Sequence, residues 1–228
     1  MLRVALLGSV FLPALVLEPL ARELELLGSV TAVVGVAEAP DPARALAAYE
    51  AALAGRGWDV VVAHSNAGLY VPALAAQRAV GGAVLVDAAL PAPAGGHHPV
   101  VPAALRGALA EQATDGLLPR WTEWWPAEDV RALFPTSRSH AAVHAATPRV
   151  PLSYLDGTVA VPAGWTDGVR GAYLAFGDTY ADERRQARSL GWPTRTLPLG
   201  HLGLLTDPAG VARAVHELAA GFTRRLPA

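Results

Sequence analysis

A serine set between small residues is the first candidate for chemistry in this chain. Ser65 follows the apolar run 60–63 and precedes a helical pattern, with Ala63 and Ala67 two positions to either side and Gly68 next. A sharp strand-to-helix turn strains the backbone at such a serine, and small neighbours let the chain pass. The segment predicts a nucleophile elbow carrying Ser65. The alternative is that Ser65 only caps the helix that follows.

A histidine able to activate that serine stands near the end of the chain. His201 comes directly after Gly200 and shortly after the last strand-like run, residues 194–197. A loop at the carboxyl end of a strand faces the mouth of the sheet, where imidazole is the side chain most often used as a general base. We therefore expect His201 to take the proton of Ser65. The alternative is a histidine that only holds its loop.

A third group is needed to orient the imidazole, and three aspartates compete for that role. Asp178 is the first choice because it follows Gly177 at the end of a strand-like run. Asp182 lies one helical turn further on and could equally cap a helix. Asp87 closes the preceding strand-like run. The chain order of serine, acid and histidine is one of three known for such triads.

Six strands are expected to position these groups. Short apolar or β-branched runs alternate with Ala- and Leu-rich stretches, which predicts an α/β fold: a mostly parallel twisted sheet with helices on both faces. The expected strands are residues 4–7, 30–36, 59–63, 83–86, 172–176 and 194–197. The expected helices are residues 19–27, 42–54, 66–80, 182–190 and 208–224.

The alternation stops between two of the strands. Residues 91–170 are rich in Pro, His and Trp and are predicted to form an inserted lid without strands, whereas residues 1–90 and 171–228 form the core. Two amphipathic helices are expected within it, near residues 102–113 and 127–134. The expected substrate-binding residues are Val10, Phe11, Trp121, Trp124 and Trp125. The tryptophans of the insertion could instead serve only to pack the lid onto the core.

Composition excludes several other kinds of site. The 228 residues include no cysteine, which removes thiolate nucleophiles and cysteine-ligated metals, and no motif suggests a metal or other cofactor. A net charge of −2 without a basic run argues against nucleic acid, and no apolar stretch is long enough to span a membrane. We expect a cytoplasmic protein that binds a small-molecule substrate. A homodimer stays open.

Three segments together resemble the α/β-hydrolase family, and more narrowly its small lid-bearing esterase and hydroxynitrile-lyase-like branch. They are residues 6–12 (LLGSVFL), 63–68 (AHSNAG) and 200–202 (GHL), and the resemblance extends over nearly the whole chain. It implies an oxyanion hole formed by the backbone N–H groups of Ser9 and Asn66. The chain departs from the family pattern at Leu7, where a histidine is common, at the two elbow alanines, and at Tyr180, where the family often has its acid.

The resemblance implies a serine hydrolase, an esterase that acts on a small hydrophobic or cyclic acyl substrate through a Ser-His-Asp triad. Two alternatives remain at this point. The same serine, histidine and oxyanion hole could run acid–base chemistry in a lyase, cyclase or dehydratase of natural-product biosynthesis, because a fold does not fix a reaction. The third hypothesis is a non-catalytic small-ligand receptor.

Overall fold

The computed structural model describes residues 1–36, 39–77 and 80–223. The strands in this part of the chain are β1 (Arg3–Leu7), β2 (Val30–Val34), β3 (Val60–Ser65), β4 (Gly82–Ala88), β5 (Gly96–Pro99), β6 (Thr158–Val161), β7 (Arg170–Phe176) and β8 (Thr194–Leu197). Six of them form a parallel sheet in the order β2-β1-β3-β4-β7-β8, and β5 pairs antiparallel with β6. The predicted parallel α/β sheet is confirmed.

Helices cover this sheet on both faces. They are α1 (Glu18–Leu26), α2 (Pro42–Leu53), α3 (Val71–Ala76), α4 (Ala103–Gln112), α5 (Ala127–Ala132), α6 (Ser137–Ala146), α7 (Ala181–Ser189), α8 (Gly203–Thr206) and α9 (Pro208–Thr223). The helices α1, α8 and α9 pack against one another, and α2 packs against α3. Two of the predicted helices extend beyond the described residues, one through residues 78–79 and the other to residue 224.

The sheet centre explains why the strands were visible in the sequence. Every residue of β3 and β4 is buried, because a parallel strand covered by helices has no face for water and therefore consists of a continuous apolar run. Burying these strands removes apolar surface from water at about 25 cal/mol per Å². The core places the carboxyl ends of the parallel strands along one edge, where their loops meet.

The segment between β4 and β7 differs from its prediction. Helices α4 and α5 fall close to the expected positions, but the expectation that the segment lacks strands is wrong, since β5 and β6 pair there. Both strands have only four residues, and β5 consists of Gly, two His and Pro. Such a strand carries no apolar alternation, so its pairing could not be predicted from hydrophobic pattern.

A search of the described residues for a helix long and apolar enough to cross a membrane finds none.

Candidate active site

The backbone at Ser65 has the geometry of a nucleophile elbow. Ser65 ends β3 with φ 59° and ψ −131°, a conformation that non-glycine residues rarely adopt and that costs roughly 1–3 kcal/mol. A 3₁₀ helix, Asn66–Tyr70, follows directly. A Cβ on Gly68 would lie 2.0 Å from the carbonyl oxygen of Ala89, so this position has no room for a side chain. The glycine that the close approach requires is therefore Gly68.

His201 joins Ser65 to a buried carboxylate. The histidine lies in the loop after β8, and its Nε2 is 3.1 Å from the Ser65 hydroxyl oxygen. Its Nδ1 is 2.7 Å from Oδ2 of Asp87. A carboxylate can only accept a hydrogen bond, so Nδ1 carries the proton and Nε2 is free to accept the Ser65 hydroxyl proton. The three side chains form one continuous hydrogen-bonded line with the polarity of a triad.

Asp87 reaches His201 because β4 is irregular at this residue. In the pairing of β3 with β4, His64 lies opposite Val86 and Ser65 opposite Ala88, which leaves Asp87 as the extra residue of a bulge. Its φ is 42°, in the left-handed region that Asp tolerates better than most residues. A bulge redirects a side chain out of its strand's regular alternation. The Asp87 carboxylate, fully buried, also accepts the backbone N–H of Phe176 at 2.9 Å.

The prediction that Asp178 orients His201 is wrong. Its side chain is 87% exposed and pairs with Arg184 at 3.0 Å. The residue follows Gly177, whose positive φ of 56° turns the chain outward at the end of β7. Asp182, in the first turn of α7, is 83% exposed and pairs with Arg185. The third candidate, Asp87, is the aspartate that the structure brings to His201.

His64 packs against the loop that carries His201 and is hydrogen bonded to it. It is fully buried, its ring stacks on the His201 ring at a centroid distance of 4.7 Å, and its Nε2 donates to the His201 carbonyl oxygen at 3.0 Å. Burial lowers the pKa of His64 well below its usual range, and the neighbouring His201 lowers it further. His64 is therefore neutral at physiological pH and holds the backbone of the base by a single hydrogen bond.

A cavity of about 750 Å³ opens above Ser65 and His201, both of which line it. Its wall is largely apolar and aromatic. The predicted contact residues that line it are Phe11, Trp121, Trp124 and Trp125. The Phe11 and Trp124 rings meet edge to face at 4.9 Å, and the Trp121 ring lies 5.8 Å from the His201 ring. The segment between β4 and β7 thus supplies an aromatic wall directly over the base.

Val10 is the exception among the predicted contact residues. It is fully buried in the hydrophobic core and is not part of the cavity wall. The loop after β1 turns tightly here, since the Ser9 hydroxyl oxygen accepts the Phe11 N–H at 3.2 Å. Neighbouring side chains in a tight turn point in different directions, so Phe11 reaches the cavity and Val10 packs into the core.

The two residues expected to supply the oxyanion hole stand at adjacent strand ends. Asn66 follows Ser65 and lines the cavity, and its side-chain amide donates to the Val100 carbonyl oxygen at 2.7 Å. Ser9 is 1% exposed and does not itself line the cavity. The parallel register that pairs Leu7 with Ala63 carries Ser9 alongside Ser65. The Ser9 side chain turns back to its own loop, where its hydroxyl oxygen accepts the Phe11 N–H.

Tyr180 and Glu183 add polar groups to the cavity wall for which the sequence predicted no role. Tyr180 lines the cavity together with Ser65, and its ring lies 5.8 Å from the His201 ring. Burial raises the pKa of Tyr180, so the phenol keeps its proton. Burial also raises the pKa of Glu183, which is the single acidic residue among the described residues of the cavity wall.

A parallel sheet in this strand order, with a nucleophile elbow after β3 and a histidine loop after β8, defines the α/β-hydrolase fold, and the chain has that fold.

Solved structures with the same fold cover almost the whole chain. An extracellular α/β-hydrolase from a Paenibacillus species, described as sharing structural and functional homology with tobacco salicylic acid binding protein 2, is 15% identical with a TM-score of 0.76 over 96% of this chain and 99% of its own. Polyneuridine aldehyde esterase is 16% identical with a TM-score of 0.71, covering 96% and 99%.

A variant of tomato methylketone synthase I complexed with β-ketoheptanoate is 12% identical, with a TM-score of 0.70, over 97% of this chain and 98% of its own. No protein-family model matches the chain, and no curated protein matches it significantly. The relatives with known structures therefore share the fold at low sequence identity, and the reaction of this chain has to be argued from its own residues.

Proposed function

We propose that the chain is a serine esterase that hydrolyses small hydrophobic or cyclic acyl esters through Ser65, His201 and Asp87. The observation that carries this proposal is the unbroken hydrogen-bonded line from Asp87 through His201 to Ser65 at the floor of an apolar cavity. The strained elbow supports it, because backbone strain is kept where the surrounding structure and the function require it. Two structural neighbours are described as esterase or hydrolase.

The first half of the reaction follows from the hydrogen bonds of the free site. His201 Nε2 accepts the Ser65 proton while the serine oxygen attacks the ester carbonyl. The backbone N–H groups of Ser9 and Asn66 stabilise the oxyanion that develops, and loss of one such donor costs about 2.7–4 kcal/mol of barrier. The imidazolium then gives its proton to the departing alcohol. Asp87 holds the imidazole in the required tautomer and stabilises its positive charge.

The second half repeats these roles with water as the nucleophile. Water attacks the acyl group on Ser65, His201 takes the proton of the water, and the bond between the carbonyl carbon and the serine oxygen breaks. The proton on His201 returns to Ser65, which releases the acid and restores the free enzyme. Atoms balance as one ester plus one water giving one acid plus one alcohol.

The cavity wall indicates the substrate class. Aromatic residues cover one side, and no Lys or Arg occurs among the described residues that line the cavity. Glu183 adds an acidic group to the same wall, which disfavours substrates that carry a phosphate, sulfate or free carboxylate group. A cavity of about 750 Å³ accommodates a drug-sized molecule. We therefore expect neutral esters with an apolar or ring-containing acyl group to be the best substrates, with the segment 91–170 acting as a lid.

A fluorophosphonate probe followed by intact-mass measurement tests the proposal. The wild-type chain should gain the mass of one phosphonyl group, and Ser65→Ala should gain none. Ser189→Ala is the matched control, because Ser189 is an exposed serine whose hydroxyl donates to its own helix, and it should label like wild type. A panel of aryl esters with acyl groups of increasing size then measures turnover. A wild-type chain that is neither labelled nor active contradicts the esterase proposal.

One observation favours a second candidate function. Tyr180 lines the cavity with Ser65 and lies 5.8 Å from His201 between ring centroids, and its phenol, whose pKa is raised by burial, adds a neutral proton donor of the kind that suits a lyase, cyclase or dehydratase. In that reaction His201 would remove a substrate proton without an acyl-enzyme. Labelling of Ser65 without ester turnover would favour this candidate. Tight ligand binding without labelling or turnover would favour a small-ligand receptor.

We also propose that the enzyme is cytoplasmic, and cell fractionation tests this location. A homodimer is the second proposal, and light scattering tests it by measuring the molar mass in solution.

A further inference from the structure

A buried tyrosine outside the cavity touches the loop that we assign to the oxyanion hole. Tyr49 lies in α2, is fully buried, and donates its hydroxyl proton to the carbonyl oxygen of Gly8 at 2.5 Å. The two residues are 41 positions apart in the sequence, so this contact is made only in the folded chain. Tyr49 is absent from the cavity wall and cannot touch substrate.

The Gly8 carbonyl lies just beyond the end of β1 and accepts its hydrogen bond from Tyr49. The Gly8 N–H still donates to the Val34 carbonyl oxygen at 2.9 Å, as an extension of the ladder between β1 and β2. The carbonyl on the other side of Gly8 instead receives the Tyr49 hydroxyl. A buried carbonyl without a partner costs about 1–3 kcal/mol, so this hydrogen bond determines which way the peptide turns as it leaves the strand.

The orientation of that peptide decides what the oxyanion hole can do. The Gly8 carbonyl and the Ser9 N–H belong to one planar trans peptide unit, in which the C=O and N–H bonds point in opposite directions. Fixing the carbonyl toward Tyr49 therefore fixes the Ser9 N–H away from Tyr49. A hydrogen bond accepted by the carbonyl also polarises the amide and strengthens the N–H as a donor.

We propose that Tyr49 is a positioning residue for the oxyanion hole, acting through the peptide between Gly8 and Ser9. This inference rests on the proposed esterase function, in which the Ser9 N–H stabilises the oxyanion. It assigns a role in the reaction to a side chain that lies outside the cavity. The tyrosine lowers the free-energy barrier of the chemical step, whereas the binding of the ground-state substrate does not depend on it.

The same tyrosine cluster supplies a matched control. Tyr154 is also fully buried, and its hydroxyl is hydrogen bonded to that of Tyr70, whose ring lies 5.2 Å from the Tyr49 ring. Tyr49→Phe and Tyr154→Phe each remove one buried hydroxyl and leave the ring in place. Both variants should lose a similar amount of thermal stability. Tyr49→Phe alone removes the group that touches the Gly8 carbonyl.

The test compares these two variants with wild type. Tyr49→Phe should lower kcat and the rate of fluorophosphonate labelling by about tenfold with KM unchanged, which is less than the 10²–10³-fold expected for loss of a whole oxyanion donor. Tyr154→Phe should keep the wild-type kcat and labelling rate. Wild-type labelling and kcat in Tyr49→Phe would overturn the inference, as would equal losses in both variants.

A measurement that needs no activity separates this inference from the proposed function. The ¹⁵N chemical shift of the Ser9 amide responds to a hydrogen bond at the Gly8 carbonyl. Tyr49→Phe should shift the Ser9 resonance, while Tyr154→Phe should leave it in place. If the wild-type chain fails to label or turn over, the esterase proposal fails, and the Ser9 resonance still decides whether Tyr49 orients this peptide. An unchanged Ser9 resonance in Tyr49→Phe overturns the inference.

Discussion

The ends of β4 and β7 both carry an aspartate, yet the two carboxylates have opposite environments. Asp87 is fully buried, lies in a bulge with φ 42°, and accepts hydrogen bonds from His201 and from the Phe176 N–H. Asp178 is 87% exposed and pairs with Arg184. An ion pair on the surface contributes little to stability because water screens the two charges. A carboxylate held in the core orients the group to which it is hydrogen bonded.

The difference shows that proximity to a strand end does not select the acid. Both aspartates follow apolar strands of the same sheet, and both strands lie beside each other. What separates them is the backbone: the bulge redirects the Asp87 side chain toward His201, while the turn at Gly177 sends Asp178 to the surface. Tyr180, two residues beyond Asp178, instead lines the cavity with its ring 5.8 Å from the His201 ring.

The largest expected effect comes from neutralising the buried carboxylate. Asp87→Asn should lower kcat by about 10⁴-fold, because the amide favours the wrong imidazole tautomer and cannot stabilise the imidazolium. Asp178→Asn is the matched substitution at the other strand end and should stay within about twofold of wild type. Steady-state hydrolysis of an activated aryl ester measures both. Equal losses of kcat in the two variants would contradict the assignment of Asp87 as the acid that orients His201.

A smaller effect is expected from crowding the packing that supports the end of β4. Gly68→Ala places a Cβ 2.0 Å from the Ala89 carbonyl oxygen, two residues beyond Asp87. We expect a loss of about 1–3 kcal/mol in the free energy of unfolding, as for other overpacked sites, together with reduced labelling of Ser65. Gly107→Ala is the control, since a Cβ there meets nothing within 4 Å and α4 should gain stability. Chemical denaturation that ranks the two variants the other way contradicts this packing.

His64 makes the stability of the same region sensitive to acid. Burial lowers the pKa of His64 below its ordinary value of 6.5, so below that pH the unfolded chain binds a proton that the folded chain does not. The part of the free energy of unfolding that depends on neutral His64 is constant above about pH 6.5. Below that pH it falls by about 1.4 kcal/mol per pH unit, until the folded-state pKa is reached.

Urea denaturation between about pH 7 and pH 5.5 measures this slope. His64→Gln keeps a donor for the His201 carbonyl oxygen but does not titrate, so the free energy of unfolding of this variant should depend less on pH than that of wild type. Parallel pH profiles for the two proteins would show that His64 does not remain neutral in the folded chain.

The smallest effect is expected at the end of β7. Tyr180→Phe removes a phenol hydroxyl from the cavity wall near His201, and a neutral hydrogen bond from such a group contributes about 0.5–1.5 kcal/mol, so kcat should fall by no more than about two- to tenfold. KM for apolar esters should change little because the ring is retained. A loss as large as that of Asp87→Asn would mean that Tyr180 acts as an acid or base in the reaction, and would favour the lyase or cyclase candidate.

Much of the fold was predictable because its signals are local. Most of the six parallel strands are apolar or β-branched runs, and the elbow and the histidine loop each show a short pattern around Ser65 and His201. Asp87 was only one of three candidates, since a bulge depends on the pairing of two strands and leaves no pattern in either one. The contact between Tyr49 and Gly8 is equally invisible in sequence, because it joins a helix to a strand end 41 residues away.

The hydrogen bond between His201 and Asp87 can be measured directly and without a substrate. A proton held between imidazole Nδ1 and a carboxylate gives a strongly deshielded signal in the ¹H NMR spectrum, well outside the amide region. We expect this signal in wild type, its retention in Asp178→Asn and its disappearance in Asp87→Asn. A signal that survives in Asp87→Asn and is lost in Asp178→Asn would contradict the assignment of Asp87 as the partner of the base.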